Sequence, residues 1–413
     1  MSAAIASGVT IRPVAGGVTA ARGFRAAAVA AGVKKKAGAL DVAVIAADGP
    51  VPAAALFTTN LAQAAPVLVS REHLQASGGT ARAVVVNAGC ANACTGSQGM
   101  ADARQMASDV AAALGGSPSE VLVASTGVIG VNLPIAKISD GIRVASSRLD
   151  RGIETDAGTA QAIMTTDPFP KECAVEVTVG DRTFIVGGTA KGSGMIEPNM
   201  ATMLGFLTTD ARVSPALLQR ALAESAEDTF NAITVDGECS TNDTLFAMAS
   251  GASGVEIDEA TYPALLEGML AVGRELALGI VRGGEGASKL ISVTVLDAAS
   301  KADARQVART IANSPLVKTA VHGADPNWGR IVAAAGRAGV RFDVSQATVH
   351  VGGILLFEHG LPHDDAAPQA AEYLKGATID IEVRLGTGGG ARATIYGCDL
   401  SAEYVRINGE YRT

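Results

Sequence analysis

The stretch from Val175 to Leu207 constrains this chain more than any other. Two short β-rich runs, Val175 to Val179 and Thr183 to Val186, flank Gly180-Asp181 and predict a hairpin with a two-residue turn. Residues 187–194 follow at once and contain four glycines in eight positions. Such a density disfavours regular structure, so an exposed or specially folded loop is expected near the middle of the chain. Loops held by a rigid scaffold are where chemistry concentrates. Pro198-Asn199 then signals a turn, and Met200 to Leu207 is largely apolar and reads as a strand starting near Thr202.

Other β-rich runs are Val42 to Ala46, Ala83 to Asn87, Val121 to Ala124, Leu290 to Leu296 and Ile379 to Val383. Between them lie helical patterns at Met100 to Leu114, Pro215 to Thr229 and Lys301 to Asn313. Interleaved strands and helices place the chain in the mixed α/β (α+β) class. At 413 residues it is expected to form two or three domains, or one large two-lobed unit. Hydrophobic residues make up 48% and aromatics only 4%, so the core must be built mostly from Ala, Val, Leu and Ile.

Several function classes are disfavoured. A net charge of -8 offers no sign of the basic face that a phosphate backbone needs, so nucleic acid is not expected as a partner. The five cysteines are odd in number and scattered, which implies no disulfide framework and suits a reducing compartment; the expected location is the cytoplasm. Cys90 and Cys94 lack a second Cys/His pair to complete a zinc set, and the five histidines show no metal spacing, so no metal is expected. No run of 18 apolar residues suggests a membrane span. The first 40 residues hold six Lys/Arg and no acidic residue, which overlaps the composition of a transit peptide. We read them as an ordinary N-terminal part of the fold.

Common catalytic signatures are absent. Lys191-Gly192-Ser193 has the wrong order for a nucleotide-binding loop, and neither a Gly-x-Ser-x-Gly elbow nor a His-Glu-x-x-His pair occurs. What remains is Ala201-Thr202 after a turn. A threonine hydroxyl there can attack the preceding carbonyl in an N-to-O acyl shift, and water then releases the ester. The new N-terminal amine becomes a general base for its own hydroxyl. From pattern alone, a threonine in a buried strand is the simpler reading.

Residues 190–204, Ala-Lys-Gly-Ser-Gly-Met-Ile-Glu-Pro-Asn-Met-Ala-Thr-Met-Leu, closely resemble the signature of the ornithine acetyltransferase family. So do residues 87–96, 124–130, 230–237 with 240–243, 323–330, and the C-terminal segment from Gly397 to Thr413. The matches run in order from about residue 10 to the end. The resemblance implies a self-cleaving, two-chain α/β sandwich-type fold of the ornithine acetyltransferase/aminopeptidase kind. The cut falls between Ala201 and Thr202, giving an α chain of 1–201 and a β chain of 202–413.

It also implies roles. Thr202 is the nucleophile, and Thr126 and Gly127 form the oxyanion hole. Substrate-binding residues are Thr165, Lys191, Thr202, Glu285, Asn408 and Thr413. Lys191 suits a substrate carboxylate, and its charge would depress the pKa of the Thr202 amine, ordinarily about 7.7–8.0. Glu285 suits an amino group; it lies in Gly283-Gly-Glu-Gly-Ala-Ser-Lys289, where Gly283 and Ser288 replace the family's Asp and Thr. The tail bearing Asn408 and Thr413 is expected to fold over the substrate. Pro168 departs from the family's Met-Thr-Thr-Asp-Thr and removes a hydroxyl and an amide proton beside Thr165.

The implied reaction is a double displacement, from N-acetylornithine to Thr202 and then to glutamate, in arginine biosynthesis. It uses no metal or organic cofactor. The resemblance leaves acetyl-CoA open as a second donor, and implies a heterotetramer or larger assembly of α and β chains. One alternative is a self-cleaving amidohydrolase or aminopeptidase that admits water to the same kind of ester. Another is a binding protein with a degraded site.

Overall fold

A computed structural model describes residues 8–197 and 203–410. The described chain divides into two compact units, residues 8–231 with 239–280, and residues 232–238 with 281–410.

The first unit contains strands β1 (Val9–Val14), β2 (Phe24–Val29), β3 (Val42–Phe57), β4 (Thr80–Cys90), β5 (Val121–Val128), β6 (Lys171–Val179), β7 (Arg182–Lys191), β8 (Leu204–Thr209) and β9 (Thr244–Ala249). Its helices are α1 (Ala65–Ala76), α2 (Gly96–Leu114), α3 (Ile135–Ser146), α4 (Ile153–Ala162), α5 (Pro215–Glu227) and most of α6 (Tyr262–Arg282). The strands form one sheet in the order β1-β6-β7-β8-β9-β3-β4-β5, with β2 on β3. Strand β3 serves both halves of the sheet. Residues 42–46 and, after a register shift, Val51 and Pro52 pair with β4, while residues 53–57 pair with β9. Its side chains alternate between two cores. Ala43 and Ile45 join Leu122, Phe206 and Phe246 on one face. Val42 and Val44 join Met106, Val110, Ile138 and Ile142 of α2 and α3 on the other.

The second unit contains β10 (Leu290–Ala298), α7 (Lys301–Ala312), α8 (Pro315–His322), α9 (Trp328–Gly336), β11 (Thr348–Val351), β12 (Ile354–Glu358), β13 (Leu361–Pro362), α10 (Ala367–Tyr373), β14 (Thr378–Arg384), β15 (Ala391–Cys398) and α11 (Ala402–Glu410). Its sheet runs β13-β12-β11-β14-β10-β15. Val293, Val295, Ile381 and Ile395 pack there against Val307, Ile311 and Ile331 from α7 and α9. Helix α7 starts where the Ser300 hydroxyl accepts from the Asp303 amide at 3.1 Å, a side-chain N-cap.

The expected hairpin forms. Val179 pairs with Arg182 across Gly180-Asp181, and Gly180 takes a φ of +61°, the left-handed conformation needed at the first turn position. The glycine-rich segment corrects the sequence reading. It is not a loop from Gly187 onward, because β7 continues through Gly187, Gly188, Thr189 and Ala190 to Lys191, paired with β6 on one side and β8 on the other. The glycines admit close neighbours. A Cβ on Gly187 would sit 2.1 Å from the Gly17 carbonyl oxygen, and one on Gly188 would sit 2.7 Å from Leu207 Cδ2. Glycine in a strand marks such close approach as often as it marks a loop. The β8 strand begins at Leu204; the expected turn at Pro198-Asn199, and Ala201 and Thr202, lie outside the described residues.

Candidate active site

The sequence of β5 ends Ser125-Thr126-Gly127-Val128, and the strand runs parallel to β4, with Ala88 beside Thr126 and Gly89 beside Gly127. Gly127 has a φ of +124°, and a Cβ there would lie 2.4 Å from the Gly89 carbonyl carbon and 2.7 Å from the Cys90 nitrogen. No other residue fits without moving the backbone of β4. Behind Thr126, buried Ser125 donates to Asn87 Oδ1 at 2.6 Å, and Asn87 Nδ2 donates to the Cys90 carbonyl at 2.9 Å. Asn242 Nδ2 donates to the carbonyls of Ala91 at 2.5 Å and Ser125 at 2.9 Å, while Thr241 Oγ1 donates to Asn242 Oδ1 at 2.7 Å. Three segments singled out in the sequence, 87–96, 124–130 and 240–243, therefore meet in one buried polar network. Fully paired networks of this kind rigidify what they hold.

Lys191 is the last residue of β7 and pairs with Leu204, two residues after Thr202. It is buried, and its Nζ donates to Thr126 Oγ1 at 3.3 Å. The structure thus brings together Lys191 and Thr126, two of the residues expected to act on substrate, although 65 positions separate them. The Thr165 backbone joins the same cluster through Asp167, whose Oδ2 accepts from the Thr165 amide at 3.0 Å. Asp167 Oδ1 accepts from the Gly192 amide at 2.8 Å and from Lys171 Nζ at 2.6 Å. Burial alone would raise the Asp167 carboxyl. The Lys191 charge and then the Lys171 charge outweigh it, with the Lys171 and Thr165 hydrogen bonds, and hold it at about 2. Lys34 completes the group; its Nζ donates to the carbonyls of Leu40 at 2.6 Å and Ala162 at 3.1 Å. Burial pushes the Lys34 ammonium down from the lysine range, against the opposing pull of Asp41.

The sequence reading missed Asp167 and Lys171. The available signal was a Thr-x-Asp spacing followed by a lysine four residues later, which suits a local carboxylate cap. Pro168 sits inside this turn, and Asp167 still binds the Thr165 amide beside it.

Glu285 belongs to the second unit. Its side chain is buried, and Asn408 Nδ2 of α11 donates to Glu285 Oε2 at 2.8 Å. The tail thus packs on this loop through Asn408. The Ser401 hydroxyl donates to the Gly286 carbonyl at 2.7 Å, and a Cβ on Gly286 would lie 2.4 Å from the Tyr404 nitrogen. Buried Asp399, at the end of β15, holds the far side of the loop. Its Oδ1 accepts from the amides of Ser288 and Lys289, both at 2.8 Å. Its Oδ2 accepts from Ser288 Oγ at 2.5 Å and lies 2.7 Å from His322 Nδ1. Ser288, where the family has threonine, keeps this hydroxyl. Thr413 lies outside the described residues.

The profile of the ArgJ family matches residues 25–413. The chain belongs to the ArgJ family. An "Arginine biosynthesis bifunctional protein ArgJ" from Dehalococcoides mccartyi is 48% identical over 406 residues, covering 96% of this chain and 98% of that protein. Another of the same name, from Thermosynechococcus vestitus, is 49% identical over 418 residues, covering 97% and 99%. A crystal structure of ornithine acetyltransferase complexed with ornithine, from Mycobacterium tuberculosis, shares 44% identity over 47% of this chain and 100% of that chain, with a TM-score of 0.42. Membership of the ArgJ family makes this chain an acetyltransferase of arginine biosynthesis. The cluster around Thr126 and Lys191 is the ArgJ candidate site of the first unit, and the Glu285 loop is that of the second.

Proposed function

We propose that the chain cleaves itself between Ala201 and Thr202 and then moves the acetyl group of N2-acetyl-L-ornithine to L-glutamate through an acetyl-Thr202 ester. The observation that carries this reading is the 3.3 Å contact of Lys191 with Thr126, at the strand end that faces Leu204. A cation and an oxyanion donor beside the start of β8 suit acyl transfer to a residue just before that strand.

Each step balances. The Thr202 hydroxyl attacks the acetyl carbonyl and gives its proton to the Thr202 amine. Thr126 and Gly127 donate to the oxyanion, and one such donor contributes roughly 2.7–4 kcal/mol of barrier. The C–N bond breaks, the proton passes to the departing amine, and ornithine leaves. The glutamate amine then attacks the ester and restores the threonine hydroxyl. Thr165, Lys191, Glu285, Asn408 and Thr413 are the proposed substrate contacts, with Lys191 suited to a carboxylate and Glu285 to an amino group. No metal or organic cofactor enters these steps. The relatives are named bifunctional, and transfer from acetyl-CoA to glutamate is the second activity we assign.

Cleavage leaves the α and β chains (residues 1–201 and 202–413) joined. β8 of the β chain pairs with β7 of the α chain, and β9 pairs with β3. Two such heterodimers form the proposed heterotetramer. None of the five cysteines forms a disulfide, which suits the proposed cytoplasmic setting. Among the described residues no helix is long and apolar enough to cross a membrane.

The deciding experiment is an intact mass under denaturing conditions, followed by a transfer assay. Two species that sum to the chain plus one water, cut before Thr202, support the reading, and Thr202→Ala stays whole and inactive. Acetate released at the same rate without glutamate points instead to the amidohydrolase.

A further inference from the structure

We propose that Asp167 is a positioning residue for acyl transfer: its buried carboxylate fixes the end of β7 so that Lys191 meets Thr126, and ties the Thr165 turn to the same point. This inference rests on the function proposed above, and it assigns a role to a residue outside that proposal.

The geometry is specific. The Asp167 side chain is fully buried and uses both oxygens. One oxygen grips the Gly192 amide, the residue directly after Lys191, and the other grips the Thr165 amide. β7 ends at Lys191, so beyond that residue its ladder with β6 and β8 no longer holds the backbone. The bond to Gly192 replaces that ladder and sets where the Lys191 side chain departs. Lys171 Nζ neutralises the carboxylate through the oxygen that Gly192 also holds, at 2.6 Å, and its other hydrogen bond goes to the Phe169 carbonyl at 3.3 Å. Its role is that of a counter-ion.

The two halves of this buried pair therefore differ. Asp167→Asn keeps the shape but accepts on one atom only, so it must release either the Thr165 amide or the Gly192 amide. Lys171→Met removes the counter-ion and leaves both amide bonds in place. A purely structural pair predicts the same kinetics for both variants, and a positioning role does not.

The test uses full-length protein, with kinetics normalised to folded, cleaved molecules counted by intact mass and circular dichroism. Wild type, Asp167→Asn, Lys171→Met and Lys191→Met are assayed for acetyl transfer from N-acetylornithine to glutamate. We expect both pair variants to melt lower. We expect Asp167→Asn to lose about tenfold or more in kcat/KM, as small misplacements at an acyl-transfer site do, with Lys171→Met within about threefold of wild type. Equal losses in the two variants, or wild-type kinetics in Asp167→Asn, overturn the proposal while leaving the acetyltransferase reading intact. A wild-type chain that transfers no acetyl group, or an unaffected Lys191→Met, overturns that reading and this inference with it. If Asp167→Asn does not fold, Asp167→Glu keeps the charge for Lys171 but lengthens the side chain and moves its oxygens off the two amides; it must lower kcat/KM, and an unchanged kcat/KM overturns the proposal.

Discussion

In the first unit, Asp167 accepts from two backbone amides and from the ammonium of Lys171, with the Lys191 charge nearby. In the second unit, Asp399 accepts from two backbone amides and a hydroxyl, and faces a half-exposed histidine. Both aspartates pin a loop that bears a proposed substrate contact. The first works inside a dry cluster of fixed charge. The second works through neutral donors, with water available to its histidine. The difference teaches that the same device carries unequal risk: removing a carboxylate strands a buried cation in one unit and only unpaired neutral groups in the other.

The glycines beside the two loops sharpen this contrast most. Gly127→Ala forces a Cβ into the backbone of β4, inside the sheet, so we expect no measurable acetyl transfer and a clear fall in melting temperature. Gly286→Ala pushes instead against Tyr404 of a terminal helix, which can lift away. We expect near-normal melting and a raised KM for N-acetylornithine. Equal damage from the two substitutions breaks the comparison.

Next in size come the aspartates themselves. Asp167→Ala leaves Lys171 buried and unpaired, and such losses cost about 3–5 kcal/mol. Asp399→Ala leaves a hydroxyl and two amides short of an acceptor, each worth up to about 1–3 kcal/mol if dry. Ser288 is exposed and Lys289 half-buried, so water replaces the carboxylate and the total loss is expected to be the smaller. Denaturant titration followed by limited proteolysis of each unit distinguishes them, and a larger effect at Asp399 reverses the ranking.

Acid provides a third test. The Asp167 carboxyl is depressed in the folded chain, so its contribution is complete above the unfolded value of about 3.9 and is lost as pH falls through about 2. Acid unfolding of the first unit is expected to steepen in that window, and Asp167→Asn to flatten it. Burial would raise Asp399, but the Ser288 hydroxyl, His322 and the two loop amides together lower it, so its sign is the same. The smallest effect is expected from Asn408→Ala, which removes the 2.8 Å bond to Glu285. One hydrogen bond of this kind corresponds to roughly a fivefold rise in KM for N-acetylornithine.

Much of the secondary structure was legible from local pattern. The β6–β7 hairpin follows from alternation and a Gly-Asp turn, and α2, α5 and α7 from apolar spacing, because local geometry alone decides these elements. The run through Gly187 and Gly188 was misread. Glycine there reports the nearness of Gly17 and Leu207, and a residue's spatial neighbours are not written in its sequence neighbours. The docking of α11 on the Glu285 loop was not legible in the sequence, since a polar nine-residue helix has no buried face of its own to announce it.

The sequence by itself determined the family, the mixed α/β class and the candidate residues, because long ordered motifs and short-range periodicity are properties of the chain. Only the tertiary structure decided that Lys191 meets Thr126, that Asn242 and Asn87 brace the β5 end, and that Asp167 and Asp399 hold the loops. Apart from the local bonds of Asp167 to Thr165 and Lys171 and of Asn87 to Cys90, those contacts join residues tens to more than a hundred positions apart. Their partners are chosen by burial, where each polar group must find a partner or bear the full cost of leaving water.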